Sequence, residues 1–236
     1  METWDHRRLA DLDFADDLAL LDHTYRALQD MTNRLHGLGK KVRLRISDGK
    51  TKTMAVGKQH VMPPITLDNQ NTENVHKFQY LGSYMAEDGD VEVDIRTRIG
   101  KASSVFQRLQ PIYSKDIKLQ LYSSIVVPTA TYACETWKTT ARATKMIDVF
   151  QHHCLRRILG ISWRDHITND EAMTRSGQKA LHDIVATRRR RFIKHILRLP
   201  PARLASLAIE WRPEDGNRNI GRPKRTWQDT LKKIWR

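Results

Sequence analysis

The chain has 236 residues, enough for one or two domains with a hydrophobic core. It carries 41 Lys and Arg against 27 Asp and Glu, and the excess lies in residues 101–236, where 27 basic side chains oppose 11 acidic ones. Two cysteines cannot build a disulfide framework, and no apolar run approaches the ~20 residues of a membrane span, so we expect neither a disulfide-rich secreted protein nor a membrane protein.

Two adjacent carboxylates, Asp16 and Asp17, stand near the start of the chain between short apolar runs. Phe14-Ala15 precedes the pair and residues 18–21 follow it, a pattern typical of a tight β-hairpin with the acids at its tip. Carboxylates held this close repel each other unless a cation lies between them, and oxygen ligands suit a hard divalent ion such as Mg²⁺. An acidic surface turn is the alternative interpretation.

Residues 24–38 place apolar side chains three or four positions apart, which predicts an amphipathic helix that ends at Gly39. The alternation in residues 42–46 predicts a half-buried strand, and residues 47–49 predict a turn. Lys50 leads into another predicted strand, and its residue type alone favours an exposed lysine at a strand edge.

Residues 65–67 and 75–82 are predicted to form a further antiparallel pair. Phe78, Tyr80 and Tyr84 would share one face by the two-residue period of a strand. Aromatic core residues beside a glycine turn explain this pattern without any binding role.

Three helices are predicted next, over residues 90–110, from Ser114 to Pro128, and over residues 141–159. Arg98 is expected on a side of the first helix away from its apolar stripe. The side chains predicted to face the core are apolar and recur at helical spacing: Ile95, Ile99, Ala102, Phe106 and Leu109, then Ile117, Leu121 and Ile125, then Met146, Val149, Phe150 and Cys154 or Leu155.

Thr168 has the sequence of a capping box and predicts the start of a short helix, which a longer helix over residues 178–199 follows. Its predicted apolar stripe consists of Leu181, Ile184, Val185, Phe192, Ile196 and Leu199. The same helix carries four consecutive arginines: Arg188, Arg189, Arg190 and Arg191. Four neighbours cover all sides of a helix, so at least one should lie at the buried edge and find an anion such as phosphate. A charged surface whose stems cover the core is the alternative.

The last residues contain Gly-Arg-Pro-Lys at positions 221–224, followed by Arg225. A Gly-Arg-Pro core can place an extended arginine in a narrow minor groove. This chain has a single copy of the core, and Ile220 rather than an arginine precedes it.

Several of these motifs follow one another in the order of a known family. After Phe14-Ala15-Asp16-Asp17 come Lys50-Thr51-Lys52, Phe78-Gln79-Tyr80-Leu81-Gly82-Ser83, Tyr132-Ala133-Cys134-Glu135-Thr136-Trp137, Cys154-Leu155-Arg156-Arg157-Ile158-Leu159-Gly160-Ile161 and Gly221-Arg222-Pro223-Lys224. Together they resemble the C-terminal part of a non-LTR (LINE-type) retrotransposon reverse transcriptase.

This resemblance implies an RNA-directed DNA polymerase that transfers nucleotides by a two-metal route, with Asp16 and Asp17 as catalytic ligands of Mg²⁺ or Mn²⁺. It places Lys50 close to the nucleotide phosphates. Through the Gly-Arg-Pro-Lys tail element, it implies nucleic-acid contacts for Arg222, Lys224 and Arg225. It also implies a primer-grip-like hairpin, formed by Phe78, Tyr80, Leu81 and Gly82. The implied partners are an RNA template, a DNA primer or their hybrid duplex, with no membrane, which favours an intracellular and nuclear location.

Related polymerase palms use a third carboxylate from an upstream strand. Asp11 and Asp13 cannot replace it, because they precede the predicted hairpin on the same strand. We expect the missing carboxylate and the template-gripping fingers to lie before Met1, so that this chain alone is an inactive polymerase.

The expected fold class is α+β. A partial antiparallel palm sheet with a packed helix would occupy residues 1–89, a helical thumb-like domain residues 90–165, and a basic helical region residues 166–236. Two alternatives stay open: a non-enzymatic nucleic-acid-binding protein derived from such an element, and the translation product of a pseudogene without a selected function.

Overall fold

The computed structural model describes residues 10–56, 63–210 and 227–232. The chain divides into two compact units, Met1–Val91 and Glu92–Arg236. Short strands and one helix form the first unit, and helices form the second, so the predicted α+β class is confirmed. Residues 90–165 and 166–236, predicted as separate domains, lie almost entirely in the second unit. No helix in the described ranges is both long and apolar enough to cross a membrane.

The first unit contains four two-stranded ladders and one long helix in its described part. Three ladders are antiparallel and the pair β3–β6 is parallel. The elements in chain order are β1 (Asp11–Phe14), β2 (Asp17–Leu20), α1 (Tyr25–Lys41), β3 (Lys52–Thr53), β4 (Thr66–Leu67), β5 (Gln70–Asn71), β6 (Glu73–Asn74), β7 (Lys77–Tyr80) and β8 (Ser83–Ala86).

The Gln29 side chain attaches α1 to β4. Its amide oxygen accepts a hydrogen bond from the backbone N–H of Thr66 (2.8 Å), and its amide nitrogen donates to the carbonyl of the same residue (2.8 Å). Gln29 thus satisfies the same backbone groups that a neighbouring strand would. Ile65 and Leu67, the neighbours of Thr66 in the chain, are both buried.

The end of α1 differs from the prediction. Thr24 caps the start as its sequence suggests, but the helix continues through Gly39 to Lys41. The strand predicted at residues 42–46 is wrong: Leu44 donates its N–H to the carbonyl of Gly39, and Arg43 has a φ of +61°. An alternating sequence becomes a strand only where a neighbouring strand accepts its hydrogen bonds, and no described strand pairs with these residues.

The predicted pairing of residues 65–67 with residues 75–82 is also wrong. β4 pairs with β5, and β7 pairs with β8 through a turn at Leu81-Gly82. This two-residue turn puts Tyr84 opposite Gln79, and therefore on the other face from Phe78 and Tyr80. The prediction counted the period of two through the turn, where it does not hold.

The second unit is helical in its described part. Its α-helices are α2 (Glu92–Arg108), α3 (Lys115–Leu121), α4 (Val127–Ala130), α5 (Ala141–Leu159), α6 (Asn169–Ser176), α7 (Leu181–Ile196), α8 (Leu204–Glu210) and α9 (Trp227–Lys232). A π-helical turn, Tyr122–Val126, joins α3 to α4, and short 3₁₀ turns occupy Cys134–Thr136 and Trp163–Asp165.

The helix over residues 141–159 is confirmed at both ends. The Thr140 hydroxyl accepts the N–H of Ala143 at the start, and Gly160 ends the helix in a left-handed conformation (φ +72°). Phe150 is buried as predicted, and so are Cys154 and Leu155, of which the prediction required only one. Val149 was predicted to face the core but is exposed, and Ile147 is buried instead.

Two further stripes are corrected. Tyr122 is buried at the start of the π-helical turn, which adds a residue to one turn of helix and rotates the sequence after it, so that Val126, Val127 and Ala130 are also buried. Ile117 and Ile125, predicted to face the core, are exposed, and Pro128 does not end the helix. On α7, Phe192 is partly exposed, and its neighbour Ile193 is buried.

Candidate functional site

Asp16 and Asp17 lie where the sequence placed them, at the tip of the hairpin formed by β1 and β2. Phe14 pairs with Asp17, and the turn between them contains only Ala15 and Asp16. Ala15 has a φ of +54°, a conformation that costs a residue with a Cβ about 1 kcal/mol or more. Both carboxylate-bearing residues are exposed, so this strained turn presents them to solvent.

The primer-grip-like residues form a second hairpin against the first. Leu81 (φ +48°) and Gly82 (φ +82°) are both left-handed, as a two-residue turn between twisted strands requires. Tyr80 donates its hydroxyl to the carbonyl of Leu12 in β1 (3.2 Å), and Phe78 is half-buried. The structure therefore brings the predicted primer-grip-like hairpin into contact with the strand that leads to Asp16.

Lys50 is exposed in the turn that follows residue 47, outside any strand. Its backbone N–H donates to the carbonyl of Ser47 (3.1 Å). No contact recorded within the described ranges joins its side chain to the hairpin of Asp16 and Asp17. Its predicted place near a nucleotide phosphate stays a prediction.

The metal-binding capacity of the hairpin is limited by its number of carboxylates. Within residues 10–56, 63–210 and 227–232, no three His, Cys, Asp or Glu side chains come together as a group that could hold a metal ion. Asp13 is paired with Leu18 within the ladder, one residue pair away from the turn, and does not form a group of three carboxylates with Asp16 and Asp17. These residues do not fit the three-carboxylate site of a two-metal polymerase by themselves.

The four arginines of α7 divide into buried and exposed members. Arg189 is fully buried and donates to the hydroxyls of Thr139 (2.5 Å) and Thr230 (2.7 Å), while its guanidinium carbon lies 5.8 Å from the ring centre of Trp227. Burial lowers the pKa of this guanidinium. The expectation that the buried arginine pairs with an anion is corrected, because its observed acceptors are neutral oxygens.

The other three arginines have different surroundings. Arg188 is half-buried and donates to the backbone carbonyl of Thr131 (2.9 Å). Arg190 and Arg191 are exposed and are the members of the run that present their charge to solvent. The alternative interpretation, in which the four arginines form a charged surface, therefore applies to Arg190 and Arg191.

Arg222, Lys224 and Arg225 lie outside the described residues. The helix α9 that follows them is attached to the second unit by Trp227, whose indole N–H donates to the carbonyl of Glu135 (3.1 Å). Together with the bond between Arg189 and Thr230, this contact fixes α9 beside the 3₁₀ turn Cys134–Thr136.

A buried polar network was not predicted from the sequence. The indole N–H of Trp137 donates to a carboxylate oxygen of Asp94 (2.8 Å), and the Arg98 guanidinium lies 4.2 Å from the ring centre of Tyr132. Arg98 was expected away from the core but is buried with Asp94, one helical turn earlier. The i, i+4 spacing of an acid and a base on the apolar stripe was the available signal.

Comparison with known proteins indicates a mobile-element origin. The chain is 25% identical over 241 residues to an uncharacterised transposon-derived protein of Caenorhabditis elegans, covering 96% of this chain and 85% of that relative. It is 27% identical over 168 residues to the RNA-directed DNA polymerase from mobile element jockey of Drosophila funebris, covering 64% of this chain and 18% of that polymerase.

The two relatives differ in what they can support. The first matches along nearly the whole of both chains, whereas the second matches less than a fifth of its own length. No family model and no solved structure matches the chain. Together the similarities support a protein derived from a retroelement.

Proposed function

We propose that this chain is a nucleic-acid-binding protein derived from the reverse transcriptase of a non-LTR retrotransposon. The observation that carries the proposal is the division of charge between the two units. Residues 1–91 hold 12 basic and 14 acidic side chains, whereas residues 92–236 hold 29 basic and 13 acidic ones, a net charge of +16. A unit of this charge attracts polyanions, and nucleic acid is the polyanion that the related polymerase uses.

The binding would be electrostatic and would use the exposed side of α7. Arg190 and Arg191 present guanidinium groups that are suited to phosphate oxygens. Arg189 is not part of this surface, since its donors face the protein interior. The predicted contacts of Arg222, Lys224 and Arg225 would add to it.

Salt dependence tests the binding. Fluorescence anisotropy with labelled RNA, DNA and hybrid duplexes should show affinity falling by about 100-fold or more between about 50 and 200 mM salt, as expected for several phosphate contacts. An affinity that does not change with salt would contradict phosphate-driven binding.

A matched pair of variants locates the contacts. Arg190→Gln with Arg191→Gln should reduce the slope of log affinity against log salt by about 2, because each phosphate contact contributes about 0.9. Arg43→Gln with Arg45→Gln removes the same charge from exposed positions in the first unit and should leave that slope unchanged. If the unmodified chain and both double variants had equal salt slopes, Arg190 and Arg191 would not contact the nucleic acid.

The second part of the proposal concerns catalysis. We propose that the hairpin of Asp16 and Asp17 derives from a polymerase palm. Without a further carboxylate to complete its metal site, this chain does not polymerise DNA. Primer extension on an RNA template, with Mg²⁺ or Mn²⁺, should give no product. Metal-dependent extension that Asp16→Asn abolishes would overturn this part and restore the polymerase function implied by the resemblance. Asp16 is exposed at the tip of its turn, so this variant should not disturb the fold.

A further inference from the structure

One end of the second unit exposes two aromatic rings among basic side chains. Tyr113, in the connection between α2 and α3, is 99% exposed, and Trp163, directly after α5, is 77% exposed. Large rings gain free energy when they are buried, so two that stay in water on one region of a folded unit indicate an interaction surface.

Hydrogen bonds hold these two segments at the same end of α5. Arg157, in the last turn of α5, donates from Nε to the side-chain oxygen of Gln110 (3.0 Å), three residues before Tyr113. Lys115 donates from Nζ to the carbonyl of Leu159 (3.3 Å), four residues before Trp163. The two connections are therefore fixed to one structural element.

The loop that carries Trp163 is also well braced. The Asp165 carboxylate accepts the N–H of Ser162 (2.6 Å), and the Ser162 hydroxyl accepts the N–H of Arg164 (3.1 Å). Arg156 donates to the carbonyl of Ser162 (3.2 Å) and to that of Ile167 (2.7 Å), which precede and follow Trp163 in the chain. The indole is thus presented on a preorganised turn, which lowers the entropic cost of binding through it.

Positive charge surrounds both rings. Arg108, Lys115, Arg157 and Arg164 are exposed, and the Arg164 guanidinium lies 5.5 Å from the ring centre of Trp163. Within residues 108–116 and 157–165, the acidic residues are Asp116 and Asp165, the second of which caps its own turn. Lys115 and Arg157 each use one donor within the protein and have further N–H groups for a ligand.

We infer that this surface, composed of Tyr113, Lys115, Arg157, Trp163 and Arg164, binds single-stranded nucleic acid by stacking bases on its two rings. This inference rests on the proposed nucleic-acid binding and specifies the ligand class. Exposed ring faces can stack on bases only where those bases are unstacked, so a duplex offers them little, whereas the basic groups bind the phosphates of any strand.

The test removes the rings and keeps the charge. Tyr113→Ala with Trp163→Ala should weaken binding to oligouridylate or oligothymidylate by about tenfold for each ring, and duplex binding should stay within about twofold of the unmodified chain. The salt dependence should not change, because no charge is lost. Tyr113→Phe with Trp163→Phe keeps both ring faces and should retain most of the affinity. Leu204→Ala, at an exposed apolar position elsewhere in this unit, should have no effect.

The outcomes separate the inference from the proposed function. If the unmodified chain binds no nucleic acid, the proposed function fails and the inference fails with it. If the unmodified chain binds single strands and duplexes, and the double alanine variant binds single strands as tightly as the unmodified chain, only the inference is refuted. The rings would then serve another partner, such as a protein. A loss confined to the RNA or the DNA oligomer supports the inference and identifies the strand.

Discussion

Replacing Trp137 by Phe tests the buried network of the second unit. Trp137 is 2% exposed and Asp94 is 3% exposed, and the hydrogen bond of 2.8 Å between them supplies the carboxylate with a donor inside the core. Phenylalanine removes this donor and leaves the carboxylate in place. A hydrogen bond to a charged group contributes about 1.5–3 kcal/mol, and the void left by the smaller ring costs on the order of 1 kcal/mol.

We therefore expect Trp137→Phe to lower the free energy of unfolding by about 2–4 kcal/mol, a large part of a typical domain's stability. Trp163→Phe makes the same chemical change at an exposed position and should stay within about 0.5 kcal/mol of the unmodified chain. Because the two units need not unfold together, hydrogen exchange of the α2 amides should be followed beside urea unfolding.

The two variants give a direct refutation. If Trp137→Phe destabilises α2 no more than Trp163→Phe does, the hydrogen bond between Trp137 and Asp94 makes no net contribution to the stability of the folded unit. A selective loss of protection in α2 would instead show that the segment with Tyr-Ala-Cys-Glu-Thr-Trp is held in place by this carboxylate.

Three further predictions concern other groups. Thr230→Val removes an acceptor of the buried Arg189 guanidinium and should lower stability by about 1–3 kcal/mol, seen as faster hydrogen exchange in α9; unchanged exchange would contradict it. Burial raises the pKa of Cys134 and of Cys154 to about 12, so their thiolate fraction at pH 8 is ~10⁻⁴. A thiol reagent at this pH should react with them only on unfolding, and rapid reaction of the folded chain would refute their burial. The hydrogen bond that the His76 imidazole donates to the Glu87 carboxylate raises the pKa of His76 above its ordinary 6.5, so Glu87→Gln should return that pKa toward 6.5 in an NMR titration.

The sign of the histidine effect follows from the direction of that shift. Since the folded pKa of His76 is the higher one, the pair with Glu87 stabilises the folded hairpin fully below pH 6.5 and loses this contribution as the pH rises through the folded value. The imidazole is exposed, so solvent screens the pair and the change in stability should be small.

The sequence was most informative where structure is decided locally. Helix α5 was predicted with its exact ends because Thr140 and Gly160 satisfy its terminal backbone groups from adjacent positions. The hairpin at Asp16 is also local, since its turn contains only two residues, whereas the hairpin at Leu81-Gly82 was implied by the family resemblance and not by the alternation of its residues.

The errors arose where distant residues decide. The alternation of residues 42–46 is a property of the sequence, but a strand needs a partner, and the described part of the first unit provides none there. The phase shift at Tyr122–Val126 and the partners of Arg189, Thr139 and Thr230, depend on segments that meet only in the folded unit. The inward position of Arg189 was available from the sequence, because it lies four residues after Val185 and therefore on the same side of α7.

The two predicted functions make different demands on this fold. Polymerisation requires at least one more carboxylate placed precisely beside Asp16 and Asp17, and the described residues supply none. Binding to a polyanion requires only a stable unit with exposed cations. The second unit has this property because some of its arginines pack in the interior and others stay exposed. Arg98 and Arg189 contribute to packing, whereas Arg190, Arg191 and the groups around Trp163 stay in solvent. The proposed nucleic-acid binding needs only this division of the basic side chains and none of the polymerase chemistry, so the proposal of binding does not depend on the result of primer extension.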